Sequence, residues 1–195
     1  MSRTPVPTYN SRMRSALRFA LGVWLGACLA CAFGAAIFAE SAAGLRWTAP
    51  AGWASQPPQA MRAATYRVGP VAGDNDPAEC GVYFFGPGQG GSVAANIDRW
   101  KGQFRGANTA PAPAQVSKRT ISGLAVTVLD TSGSYSGLGG PMSSGDHVVA
   151  NYRLLGAIVE GPGGNIFIKF TGPARTIASN QQKFEQLLSS FQREK

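Results

Sequence analysis

Apolar and polar residues alternate along most of this chain with the two-residue period of β-strands, and in two places the period lengthens to that of a helix. LRWTAP, MRAATYRV and ECGVYFF read as three short strands, the first ended by Pro50 and the third bulky enough to be central. From Ser92 to Phe104, Val93, Ile97, Trp100 and Phe104 recur at i, i+4, i+7 and i+11, the single stripe of an amphipathic helix that Ser92 is placed to cap. GANTAPAPA is too rich in Pro and Ala for regular structure and predicts a loop. QVSKRTI and LAVTVLDTSGSY, parted by Ser122 and Gly123, predict a hairpin, and VVANYRLLGAIVE and NIFIKFTG, parted by GPGG, predict another. Between the hairpins, SGLGGPMSSGDH has the composition of a flexible loop. Ile177, Phe184, Leu188 and Phe191 share one stripe, so a second amphipathic helix is expected over residues 175–191.

This order of elements defines a fold class. Hairpins make an antiparallel sheet, and two helices with one apolar stripe each must bury those stripes on it. The expectation is α+β: a sheet built of hairpins with two amphipathic helices packed on it, burying Ile97, Trp100, Phe184 and Leu188. Trp47 lies in a strand and Trp100 on a helix stripe, so core packing accounts for them better than a sugar-binding platform.

The first residues follow a different rule. Arg3, Arg12, Arg14 and Arg18 precede an uncharged run from Phe19 to Ala39, the order of a secretory signal. As a helix that run would span about 31 Å, enough to cross a bilayer. Three readings are open: a signal cleaved among the small residues to leave a start near Glu40 to Gly44, an uncleaved anchor over residues 19–39, or a lipoprotein whose Leu25, Gly26, Ala27 and Cys28 direct lipidation of Cys28. All three place the rest of the chain outside, as does the positive-inside rule. Residues 1–43 are thus read as a signal peptide or membrane anchor, and 44–195 as a single domain in the periplasm or cell envelope. With Cys28 and Cys31 in the export segment, Cys80 is left alone, and packing must hold the domain without a disulfide framework.

Charge narrows the partners. The chain carries +8, and from Gly44 onward 14 basic residues face nine acidic ones, a balance of +5. An exported basic domain suits an anionic envelope component or an envelope protein, although scattered Lys and Arg are also what a plain solvated surface looks like. No nucleic-acid motif is present.

Few residues offer chemistry. Gly86, Gly88 and Gly91 in GPGQGG fit G-x-G-x-x-G between a strand and a helix, but the elements that follow form a hairpin and no acidic residue lies about 20 positions on, so no cofactor is assigned. The same glycines suit a tight turn at positive φ; alternatively Gly88, Gly91, Ser92 and Arg99 hold an anion at the helix start. His147 is the single histidine and, with one cysteine in the domain, gives no metal-ligand spacing. A lone Cys80 within a strand is more often packed than reactive, and no catalytic set is assigned.

LRWTAPAGW, the hairpin sheet, and IFIKFTGP leading to a terminal helix ending LLSSF resemble the Mog1/PsbP-like domain over most of residues 44–195. LRWTAPAGW, MRAATYRV, GPGQGGSVAANIDRWKGQF and FIKFTGP further resemble an uncharacterised group of exported bacterial proteins. The resemblance implies a sandwich and a non-enzymatic binding or accessory role in the cell envelope, and it supplies no catalytic residues. The alternative is an exported hydrolase using Asp98, Asp146 or His147.

Overall fold

In the computed structural model, which describes residues 39–137 and 148–194, both expected hairpins pair as read and form the middle of an eight-stranded antiparallel sheet. Residues 19–38 with Cys28, and the loop containing Asp146 and His147, lie outside the described residues. Strands β1 (Ala39–Ala42) and β2 (Leu45–Thr48) open the described chain, followed by β3 (Ala54–Ser55), β4 (Arg62–Val68) and β5 (Ala78–Tyr83). Helix α1 (Val93–Gly102) comes next, then β6 (Phe104–Arg105), β7 (Ala114–Ile121) and β8 (Leu124–Tyr135). The chain continues with β9 (Val149–Gly161), β10 (Gly164–Pro173), α2 (Ala174–Ser179), α3 (Gln181–Ser189) and β11 (Gln192–Arg193). The large sheet has the order β3-β4-β5-β10-β9-β8-β6, with β7 also on β8, and β1-β2-β11 form a small second sheet. The turn between β7 and β8 puts Ser122 at φ 50° and Gly123 at φ 76°, the doubly positive geometry whose twist matches paired strands.

Alternation along the strands divides the core in two. Ile166, Ile168 and Phe170 of β10 point to one face of the large sheet, where they meet Phe184, Leu187 and Leu188 of α3 and Trp47 of the small sheet. Trp47 stacks on Phe191 at 5.1 Å, and its Nε1 donates to the Tyr66 hydroxyl (2.9 Å) and to Glu40 Oε2 (3.1 Å). The Tyr66 hydroxyl donates to the same carboxylate oxygen, so ordered structure begins upstream of Gly44, with β1 carrying the acceptor for two buried aromatics. On the opposite face, Ile97 and Trp100 of α1 cover Leu129, Leu154 and Ile158. Trp100 fits because Gly156 lies beneath it: a Cβ there would come within 2.8 Å of the indole.

The structure departs from the sequence reading at the last helix, which is two helices. Asn180, at φ −107° and ψ 8°, breaks the run, and the break is stabilised: its amide donates to Thr176 O (2.9 Å) while its Oδ1 accepts from Trp53 Nε1 (3.2 Å). All four stripe residues are nonetheless fully buried, with Phe191 just past the helix end. Likewise α1 ends at Gly102, and Phe104 is buried from β6 rather than from a last helical turn.

Trp100 is 2 % exposed, and no small residue can refill the space over Gly156. Trp100→Ala is expected to destabilise the domain by about 3–5 kcal/mol, read from urea unfolding midpoints, and a change under about 1 kcal/mol would show that α1 is not part of the cooperative core.

Candidate functional site

α1 is ten residues long, too short to cover its face of the large sheet. It lies over β8 and β9, and beyond it the floor of β10, β5 and β4 faces a cleft of about 440 Å³. The strand period turns polar there. Phe167 is under the helix, but Lys169 and Thr171, two and four residues on, point into the cleft, with Glu79 and Tyr83 of β5 and Arg62 of β4 beside them. Tyr135 and Tyr152 form a wall, their rings 5.9 Å apart and within 8° of parallel. The Tyr83 ring folds back over Gly81, where a Cβ would collide with it at 2.7 Å, so glycine at 81 permits that placement. A smaller cavity of about 180 Å³ shares Tyr83, Gln103 and Lys169 with the cleft and extends it toward Arg99 and Phe85.

The cleft is electrostatically uneven. Arg62 is held by Glu79 (Nη1 to Oε1, 2.6 Å) and sits 5.1 Å from the centre of the Tyr83 ring. Among the described residues Lys169 has no carboxylate partner: its Nζ donates to Gln103 Oε1 (2.9 Å) and lies 6.0 Å from the centre of the Tyr135 ring. Burial, then Arg99 and Arg62, pushes the Lys169 ammonium down to about 8. Thr171 Oγ1 is buried without a hydrogen-bond partner, one of two such side-chain atoms among the described residues, the other being Arg46 Nε. Both Lys169 and Thr171 are thus under-satisfied on the same face of one strand.

The residues singled out from sequence fall in different places. Gly86, Gly88, Gly90 and Gly91 all adopt positive φ, from 69° to 104°, as a tight turn before α1 requires. Ser92 caps the helix, its Oγ accepting from Ala95 N (3.2 Å). Gly88, Gly91 and Ser92 lie outside the cleft, whereas Arg99, through a hydrogen bond to Asn96 Oδ1, joins the loop to its smaller cavity. Cys80 is wholly buried on the other face, where burial holds its thiol well above the ordinary range, and Asp98 pairs with Lys101 on the outer side of α1. The structure therefore does not bring Cys80 and Asp98 together. Lys169, Thr171 and the three tyrosines were passed over by the sequence reading; the available signal was one lysine within the apolar run IFIKF.

No family model and no curated protein matches the chain. Among solved structures the chain is similar to the cyanobacterial PsbP (CyanoP) from Synechocystis, at 12% identity over 80% of this chain and 90% of that one, with a TM-score of 0.49. It is also similar to a Pseudomonas aeruginosa protein of unknown function described as a putative regulator, at 12% identity over 78% of this chain and 94% of that one, with a TM-score of 0.45. At these values the comparison concerns the course of the chain and carries nothing about the cleft.

The buried titratable groups make stability depend on pH in opposite directions. Lys169 at about 8, against 10.5 ordinarily, means that between those values the unfolded chain binds more protons, so stability rises across that window. Tyr135, raised by burial to about 12, and Tyr66, Tyr83 and Tyr152, also raised by burial, keep their protons in the fold above 10.0, where unfolded phenols lose theirs. Their contribution is intact below pH 10 and is lost as pH climbs through 12. Urea midpoints are expected to hold or rise from pH 8 to 10 and to fall from pH 10 to 12, and Lys169→Met is expected to remove the rise while leaving the fall.

Proposed function

We propose that this chain is an exported, non-enzymatic binding or accessory module of the cell envelope, which holds its ligand in the sheet-face cleft. The observation that supports the reading most is the floor itself: a cation without a counter-ion and a hydroxyl without a partner among the described residues, set side by side on a central strand. Groups buried in that state cost stability, and a ligand that satisfies them recovers the loss. The polar groups in the cleft are an ammonium, a guanidinium, phenols, a hydroxyl, an amide and one carboxylate already paired with Arg62, a set that can hold a polar ligand. Strands hold them, so a ligand meets a preorganised surface.

Export rests on the sequence pattern, and the folded unit sharpens where a cleaved signal would end. Glu40 accepts hydrogen bonds from Trp47 and Tyr66, and a cut after Ser41 or Ala43 removes that carboxylate, leaving the buried Tyr66 hydroxyl without its acceptor and Trp47 with the Tyr66 oxygen alone. A cut after Ala39 retains it.

Two outcomes are expected. An alkaline phosphatase fused after Lys195 should be active and a green fluorescent protein at the same position dark; the reverse pattern would end the envelope reading. Mass spectrometry of the processed chain should give Glu40 as the first residue. A first residue between Ser41 and Gly44 would show that Glu40 is dispensable to the mature fold, while diacylated Cys28 or intact Met1 would show that the signal is not cleaved.

A further inference from the structure

The cleft's polarity identifies the chemistry of what fills it. Lys169 and Arg99 lie toward the α1 end, and Arg62 crosses from β4, so three cations converge on one region. Among the described residues one carboxylate, that of Glu79, stands with them, and Arg62 takes it up at 2.6 Å. The cleft therefore has, among the described residues, a cationic end lacking a counter-charge. Beside it stand flat aromatic surfaces, the stacked Tyr135 and Tyr152 and the ring of Tyr83 with Phe85 beyond it at 6.1 Å.

Resting on the reading of the cleft as the ligand site, we infer that it takes a monocarboxylate carried on a ring, the carboxylate on Lys169 and Thr171 and the ring along the tyrosines. A carboxylate supplies the missing counter-ion to the ammonium and an acceptor for the orphaned hydroxyl in one group. A phosphate dianion fits less well, because its second charge faces the Glu79 carboxylate. The ring matches the walls, since phenol faces pack against flat bodies whether aromatic or the apolar face of a cyclic sugar acid. Affinity depends on the charged ammonium, so it is full below the free-state value of about 8 and declines as pH rises past it.

The test uses the full-length chain as the cell processes it, titrated at low salt with benzoate, 4-hydroxybenzoate and galacturonate, and in parallel with methyl benzoate, galactose and inorganic phosphate. Amide signals of Tyr83, Lys169 and Thr171 are followed by NMR. Carboxylates are expected to give saturable shifts at these positions, with the neutral counterparts at least about tenfold weaker. Benzoate and galacturonate distinguish aromatic from sugar acids, and tighter binding of either supports the inference. Lys169→Met should abolish the preference for carboxylates, and it should not lower the melting temperature, because it removes a buried cation and leaves an unbranched side chain one atom shorter. If the neutral compounds bind in the cleft as tightly as the acids, the carboxylate inference fails while the cleft remains the ligand site. If phosphate binds more tightly than every carboxylate, the inference fails in favour of a phosphorylated ligand. If no compound shifts these amides, or shifts spread evenly over the basic surface, both the inference and the reading beneath it are overturned.

Discussion

A wide antiparallel sheet has two faces, and any apolar side chain on either must be covered by something the same chain supplies. Among the described residues, α2, α3 and the small sheet cover one face, and only the ten residues of α1 the other. Most of the architecture follows from that shortage. Where α1 lies, the strands are apolar and Gly156 makes room for Trp100; where α1 does not reach, the same strands turn polar and the cleft results. Strand β10 carries both solutions on one face of its alternation, with Phe167 under the helix and the half-buried Lys169 and Thr171 facing the cleft. The opposite edge, Ile166, Ile168 and Phe170, is apolar throughout because that face is covered throughout.

The covered face is closed at its margin by polar contacts that only the tertiary fold creates. Glu40 gathers Trp47 and Tyr66, while Asn180 gathers Trp53 and the end of α2. Each joins segments far apart in sequence, and each satisfies an aromatic N–H or O–H that burial would otherwise leave unpaired. The small sheet and the helix break are thus parts of one arrangement, in which large aromatics enter the core and their polar atoms are met at its edge.

How much of this was legible in the sequence follows from which interactions are local. The hairpins were, since Ser122 and Gly123 and the GPGG turn lie within a few residues of the strands they join. The helix stripes were also legible, because a 3.6-residue period is a property of neighbours, and the glycines of GPGQGG announced positive φ for the same reason. The break at Asn180 was not, as its cause is Trp53, 127 residues away. The cleft was least legible of all. Its cations come from β4, α1 and β10, its tyrosines from β5, β8 and β9, and its one hydrogen bond to Lys169 from a residue 66 positions earlier. No spacing along the chain encodes such a set; alternation alone marked Lys169 as a charge on a strand otherwise apolar, and that mark has no meaning until the uncovered part of the sheet is known.

The same arrangement explains why the floor is retained in a state that costs stability. An isoleucine at 169 would extend the apolar face beyond α1 into the cleft, where no further helix among the described residues covers it. A lysine avoids a bare apolar strip, but its ammonium is then held among Arg62 and Arg99 with only the Gln103 amide oxygen and a tyrosine ring as partners. Gln103 is itself the C-cap of α1, and its carbonyl accepts from Ser136 N at 3.0 Å, so the residue that orients Lys169 also ties the helix end to the chain leaving β8. Occupancy of the cleft therefore bears on more than one side chain. A counter-charge on Lys169 strengthens the positive form that Gln103 already receives, and through Gln103 it reaches the end of α1, the helix that covers that face.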